Sequence, residues 1–368
     1  MDLSSTNRRQ FLSKITAGAA LMGSVAPRAV KADHHEGEKK LGFALVGLGS
    51  LATNQIAPGL LNSKYCRLAG IVTGTPEKEK VWAEKYGIPE TSIYNYENFD
   101  TIKDNPDIDV VYVVLPNSMH KEFTIRAAKA GKHVLCEKPM ATSSADCEAM
   151  IAACKEAKRK LAIGYCCQFE PHHQEIMRLS KEKAFGDLKM IEAGFGFKIG
   201  DPNQWRLKSE LAGGGALMDV GIYALQTCRY LTGEEPSMIS AIETKTDKEK
   251  FAEVDESVVW TMAFPGGVVA SCSTSYNVNG INSCKGLASN GWFELDPAYN
   301  YGGIKGRTSR GELKLESGDQ FAAEMDDFAR CILDDQESRV SGEEGLKDLI
   351  ALEAIYQSIK TGKSIKLS

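Results

Sequence analysis

The sequence predicts two halves of different architecture. The N-terminal half is α/β, a doubly wound parallel sheet; the C-terminal half is α+β, built on a large open, mainly antiparallel sheet with helices on one face. Three features carry that expectation. A short apolar run at 43–46 breaks into Gly47-Leu48-Gly49-Ser50-Leu51-Ala52, a G-x-G-x-x-A pattern opening a helix. The run VVYVVL at 110–115 is β-branched and does not alternate, as a central parallel strand covered on both faces requires. In the second half the segments 190–197, 239–246, 257–264, 268–276 and 291–295 alternate with period two, with turn residues such as Pro265-Gly266-Gly267 between them.

The first motif reads as the phosphate turn of a Rossmann dinucleotide site. Gly47 permits the tight turn, Gly49 leaves no Cβ between backbone and pyrophosphate, and Ala52 lets the helix sit close to its strand. The free N–H groups and dipole of the helix start then face the phosphates. The alternative is a glycine-rich turn with no ligand. The next strand, 67–74, ends in Thr73-Gly74 where an NAD site places Asp or Glu, and Lys78 follows. A hydroxyl and an ammonium suit a 2′-phosphate, so NADP is expected over NAD; otherwise Lys78 is an ordinary solvated lysine of its helix.

The elements then alternate in order. A helix at 76–86, a short strand at 93–94 and a small helix at 96–105 lead to the 110–115 strand, which Pro116-Asn117 ends. The helix 120–130 stops at Gly131, a left-handed cap. Strand 133–136, the triplet Glu137-Lys138-Pro139, helix 143–158 and strand 161–165 complete a dinucleotide-binding domain assigned to 41–167. The remainder, 168–368, is assigned to substrate binding and oligomerisation, with a glycine-capped helix at 213–233 and two helices between 320 and 361.

A chain of 368 residues suggests two domains, and its formal charge of −5 without a Lys/Arg stripe argues against nucleic acid as a partner. Residues 1–32 read as a twin-arginine signal peptide: Asn7-Arg8-Arg9-Gln10-Phe11-Leu12-Ser13-Lys14, an apolar stretch at 15–27 too short to span a bilayer, and Val30-Lys31-Ala32 as cleavage site. The expectation is periplasmic export of a folded protein by the twin-arginine machinery, with no membrane segment in the mature form and a short arm at 33–40. Folding in a reducing compartment lets the ten cysteines, among them Cys66, Cys136, Cys154, Cys228 and Cys331, serve as small apolar residues rather than disulfides. Cys166-Cys167 lacks a second pair at metal spacing, and Asp33-His34-His35-Glu36 lies in the arm, so no metal is expected.

The stretches GFALVGLG, VYVVLPNSMH, AGKHVLCEKPMATS, QWRLKSELAGGGALMDVGIYALQTCRYLTGEEP and SGEEGLKD together resemble the glucose–fructose oxidoreductase / inositol dehydrogenase / rhizopine catabolism (Gfo/Idh/MocA) superfamily. They are most similar to its glucose–fructose oxidoreductases, with aldose–aldose oxidoreductases close by. The resemblance implies tightly bound, non-exchanging NADP that an aldose reduces and a second sugar re-oxidises, the first sugar leaving as a C1 lactone. It implies Lys138, Asp219 and Tyr223 as the catalytic set, with Tyr223 the base, Lys138 lowering its pKa and orienting the sugar, and Gln168 beside them on the substrate. It places Leu115, Pro116, Asn117, His120, Glu137, Trp205 and Arg206 on the cofactor, a capping role standing as the alternative for His120 and Asn117. It further implies a homodimer or homotetramer through the C-terminal sheet. Departures are Ser50 where the family often has Lys, Tyr223 where many relatives have His, the stretch CCQFEPHH at 166–173, and the short arm. The alternatives are a sugar or cyclitol dehydrogenase with exchangeable NAD(P), and a non-catalytic nucleotide-loaded sugar sensor.

Overall fold

Six parallel strands form the first sheet, in the order Ile93–Tyr94, Cys66–Val72, Leu41–Val46, Val110–Val113, His133–Glu137, Leu161–Gly164. The computed structural model describes residues 40–367. Leu41–Val46 and Val110–Val113 are buried at every position, which is why they read as unbroken apolar runs. Strand order reverses between these two, and their register ends together: Val46 pairs with Val72 on one side and Val113 on the other, and Val113 pairs with Cys136. The loops after four strands therefore open on one edge, at the switch point where such sheets bind ligands.

The second sheet has nine strands, in the order Gly311–Leu313, Gly306–Thr308, Gly291–Leu295, Ile281–Ala288, Leu188–Gly196, Val269–Ser275, Ser257–Ala263, Met238–Thr244, Ile365–Lys366. Only the central pair Leu188–Gly196 and Val269–Ser275 runs parallel. Four of these strands go beyond those predicted, Ile281–Ala288 and the three short ones at the edges, as does the helix Pro171–Lys181. The small helix expected at 96–105 is a 3₁₀ segment, Phe99–Asp104.

One face of this sheet is covered. Helix Ile222–Thr232 lies on Leu188–Gly196, and helix Gly342–Thr361 lies on Met238–Thr244 while also packing against Ser144–Glu156 of the first half, so it ties the two sheets together. Trp260, Met262 and Cys272 point into that covered side. All ten cysteines are free, nine of them buried. Among the described residues there is no acidic, His or Cys cluster of metal-binding size, and no helix long and apolar enough to cross a membrane. The signal peptide and most of the arm, with Asp33-His34-His35-Glu36, lie outside the described residues.

Candidate functional site

A cleft of about 320 Å³ opens along the strand ends of the first sheet. Its floor is the glycine turn. Gly47 has φ +96°, and a Cβ there would sit 2.4 Å from the Val114 carbonyl oxygen, so only glycine fits. A Cβ on Gly49 would meet nothing within 4 Å; that open space faces the cleft and suits a pyrophosphate approaching bare backbone. The following helix starts with a widened π-turn, Ala52–Ile56, whose Ala52 is fully buried against the sheet. Ser50 and Leu51 line the mouth of the cleft. At the adenosine end Thr73 is buried and its Oγ1 accepts the Thr75 N–H at 3.2 Å, while the Lys78 ammonium donates to the Leu48 carbonyl at 2.9 Å. Lys78 is thus held over the glycine turn rather than free in solvent. Thr75 and Tyr96 complete this wall.

At the other end the cleft meets a second cavity of about 430 Å³, and the two share Lys138, Arg206, Asp219 and Tyr301. Lys138 comes from the first sheet and reaches across to the second half. Its Nζ donates to the Asp219 carbonyl at 2.6 Å and to Asp219 Oδ1 at 3.3 Å, and lies 4.6 Å from the centroid of the Tyr223 ring. Asp219 Oδ2 accepts from Arg206 Nε at 3.1 Å and from the Tyr276 hydroxyl at 2.8 Å. Burial pushes the Asp219 carboxyl up, but Lys138, Arg206 and the Tyr276 hydroxyl outweigh it and hold the group down at about 2. Arg206 stacks on the Trp205 ring at 4.6 Å, and its own pKa is raised by Asp219.

Asp219 sits on a second π-turn, Leu217–Gly221, which runs into the α-helix carrying Tyr223. The start of that turn is fastened by Asp255, whose carboxylate accepts the Gly215 N–H at 2.6 Å, the Leu217 N–H at 2.7 Å and the Tyr356 hydroxyl at 2.7 Å. This is an N-terminal cap supplied from another element. The glycine run before it has a steric cause: a Cβ on Gly215 would lie 2.0 Å from the Asp255 carbonyl oxygen.

The second cavity is walled by Phe195, Phe197, Tyr223, Tyr299 and Tyr301, with Gln204 and Asn300 as polar groups. Aromatic faces with a few directed amides suit a sugar ring. Burial pushes the Tyr223 phenol well above its ordinary range, and the neighbouring Tyr301 and Cys166 act in the same direction. The expectation of a lowered phenol is therefore corrected: burial dominates, while the Lys138 ammonium sits over the ring face and bonds Asp219.

Leu115, Pro116, Asn117, Glu137 and Trp205 line the cleft as expected from the sequence, though the Asn117 amide is committed to the Ala212 carbonyl at 2.8 Å. Two residues stand elsewhere. His120 is fully buried behind the cleft, with Nδ1 2.9 Å from the Pro139 carbonyl and Nε2 2.8 Å from the Leu115 carbonyl, so it joins the two loops that form the wall and does not line it. Gln168 lies on a 3₁₀ turn in a separate crevice behind Tyr223, with its amide against the Met177 sulfur at 3.5 Å, because the turn carries it away from the sugar-side cavity. Tyr276, Tyr301 and Asn300 had no sequence signal, because they arrive on segments with no motif of their own; Gln204 opens the QWRL stretch but was not singled out within it.

Three family models match the chain: an oxidoreductase family with NAD-binding Rossmann fold over 41–165, a GFO/IDH/MocA C-terminal domain over 173–294, and an oxidoreductase-family C-terminal alpha/beta domain over 306–367. The chain is 31% identical over 335 residues to a D-xylose 1-dehydrogenase (NADP+) of Haloarcula marismortui, covering 88% of this chain and 92% of that one. It is 49% identical to the aldose–aldose oxidoreductase of Caulobacter crescentus crystallised with glycerol, with TM-score 0.87 over 89% of this chain and all of that one. A 3-ketoreductase of Actinomadura kijaniata in complex with NADP and TDP-benzene shares the fold at 21% identity, TM-score 0.78, over 87% of this chain and 98% of that one.

Proposed function

Because the chain belongs to the GFO/IDH/MocA oxidoreductase family, we propose that it is a sugar oxidoreductase that keeps NADP bound, oxidises an aldose at C1 to the lactone and reduces a second sugar. The observation that carries this reading is the pair of cavities, one glycine-floored and one aromatic, meeting at Lys138, Arg206, Asp219 and Tyr301. The similarity to an NADP-dependent xylose dehydrogenase and to an aldose–aldose oxidoreductase supports the sugar substrate.

NADP, when bound, supplies the two-electron acceptor and donor. The glycine turn and the first turn of its helix would hold the pyrophosphate, Thr73, Thr75 and Lys78 the 2′-phosphate, and Leu115, Pro116, Glu137 and Trp205 the nicotinamide end. The chain's own groups handle the sugar oxygen. Tyr223, kept protonated by burial, donates to that oxygen, and the Lys138 ammonium favours negative charge growing there. In the reducing direction Tyr223 would donate a hydrogen bond to the carbonyl oxygen and keep its own proton. Asp219, ionised at neutral pH, orients Lys138 and Arg206.

The test is optical. Protein purified without added cofactor is examined by absorbance and fluorescence before and after glucose or xylose. Reduced nicotinamide appearing at one equivalent and staying with the protein through gel filtration supports the reading. Turnover only with added NADP would replace it with an exchanging dehydrogenase, and a bound nucleotide that no sugar reduces would favour a sensor. The same reading includes export as a folded, loaded protein by the twin-arginine route to the periplasm, and a second copy of the chain covering the open face of the nine-stranded sheet.

A further inference from the structure

A hydroxyl proton freed in the sugar-side cavity needs an acceptor, and a Tyr223 that keeps its own proton is not one at rest. Behind the cleft lies a buried acid pair whose proton chemistry the reading above leaves unused. Glu137, which lines the cleft, accepts the Tyr112 hydroxyl at Oε1 (2.8 Å) and faces the Lys138 N–H with Oε2 at 3.3 Å. The same Tyr112 oxygen lies 3.2 Å from Oε2 of Glu324, on the helix Gln320–Leu333. Tyr112 and Glu324 are essentially without solvent exposure, and Glu137 nearly so.

Counting protons decides the state of this trio. A phenol has one O–H to donate, and an ionised carboxylate can only accept. With both acids ionised, one of them would face a Tyr112 lone pair in a solvent-free interior. Glu324 Oε1, moreover, is buried with no hydrogen-bond partner, which is costly for a carboxylate oxygen and far less so for the C=O of a neutral acid. The arrangement that satisfies every short contact has Glu324 protonated and donating to Tyr112, and Tyr112 donating to an ionised Glu137.

We propose that Glu324, Tyr112 and Glu137 form a buried proton store behind the cofactor cleft, holding one carboxyl proton at rest and taking up a second, on Glu137, when a sugar hydroxyl is oxidised. The proposal rests on the sugar oxidoreductase reading. Uptake forms one O–H bond on Glu137 as the sugar O–H bond breaks, the proton passing through water from the sugar-side cavity to the cleft that Glu137 lines, where the two meet at Lys138, and reduction of the second sugar reverses it. Within the trio the proton moves by paired exchange: the Glu324 O–H breaks as one forms on the Tyr112 oxygen, while the Tyr112 O–H breaks as one forms on Glu137, with no electrons transferred. A shuttle that oxidises one sugar and reduces another has no net proton to release, and a store of this kind keeps the proton inside.

The surroundings are consistent with one shared negative charge. Facing Glu324 are Tyr112, Glu137, the Cys166 thiol and, on its own helix, Asp327; facing Glu137 are Lys138, Asp219, Tyr112 and Glu324. Lys138 is the cation among them, and it lies on the cleft side, which favours the charge on Glu137. Burial raises both acids, Glu324 well above its ordinary range. Glu324 acts through Tyr112 and Glu137, and is a positioning residue rather than a catalytic one.

Infrared spectra of the protein as purified, without sugar, test this without turnover. At neutral pH the wild type should show the C=O stretch of a buried neutral carboxyl group, downshifted in D₂O. Glu324→Gln, which keeps a donor toward Tyr112, should abolish it, and Tyr112→Phe should shift it as the hydrogen bond is lost. With NADP and sugar, Tyr112→Phe should lower kcat about tenfold with KM unchanged, less than the 10²–10⁴-fold for a group on the substrate, and should displace the pH profile. A wild type without the band, or a band untouched by Glu324→Gln, overturns the store whatever the enzyme turns over. A band that behaves as expected in a protein that no sugar reduces overturns the proposed function and leaves the neutral acid standing.

Discussion

Tyr223 keeps its proton because it is buried among Phe195, Tyr299 and Tyr301, and because the nearest cation lies over its ring instead of at its oxygen. Tyr223→Phe should leave NADP affinity intact and lower sugar turnover by about 10²–10⁴. Lys138→Ala should do similar damage, and the double mutant should lose less than the sum because both act on one oxygen; single-turnover rates check this. Nucleotide choice rests on a smaller contact. An aspartate at position 73 can accept the same Thr75 N–H that Thr73 accepts now, so the turn survives while a negative charge arrives beside Lys78. Thr73→Asp should therefore weaken NADP by about 1–3 kcal/mol and spare NAD, by calorimetry on stripped protein. Equal losses for both would mean that Thr73 only packs. Asp219 gives a pH signature. Its carboxyl is depressed from 3.8 to about 2 in the folded chain, so the stability it contributes is present above the unfolded value and is lost as pH falls from about 4 to about 2. That contribution is about 2 kcal/mol, and the denaturation gap between wild type and Asp219→Asn should narrow over that window. Lys138, Asp219 and Tyr223 were legible because motifs surround them. Tyr276 and Tyr301 were not, since a tyrosine in a strand end or loop carries no periodic signal and only the fold brings it to Asp219 or Lys138.

The π-turn Leu217–Gly221 is positioned by a cap and a steric fit, so it is sensitive to changes far from the sugar. Adding a Cβ at Gly215 forces the chain away from the Asp255 carbonyl and loosens the three hydrogen bonds that fasten the turn. Gly215→Ala should destabilise the protein by about 1–3 kcal/mol, as overpacking does, and should lower kcat through misplaced Asp219. Full activity at reduced stability would show that the turn re-forms elsewhere. The elements of the first half were readable because parallel strands buried on both faces give continuous apolar runs, such as the one that Pro116-Asn117 ends, and because Gly131 marks the stop of the helix between two of them. Ile281–Ala288 escaped because INSCKGLA buries only Cys284 and Gly286, leaving no clean alternation, and Gly306–Thr308 and Gly311–Leu313 are too short to show any period. Gln168 was misplaced for a related reason: residues just past a strand end look like site residues until the direction of the following turn is known.

The nine-stranded sheet leaves its second face open. The register sets Ile242 beside Val259, and Val269 between Ala263 and Met190, in rows on that face. Ile242 is 71% exposed and Val259 53%, an apolar patch that a two-fold related copy would bury. Ile242→Glu should convert a dimer to a monomer in light scattering without changing the nucleotide site; an unchanged mass would place the interface elsewhere. The division of the site between the two sheets has a different consequence. Lys138 is anchored on a backbone carbonyl of the opposite half, at 2.6 Å, before any sugar arrives. Recombining this first half with a relative's second half, the obvious route to a new sugar preference, will therefore succeed only where the incoming part delivers that carbonyl in register. A donor that matches every aromatic of the sugar-side wall but shifts the widened turn by one residue would yield a chimera that folds, loads nucleotide and leaves its lysine without a berth.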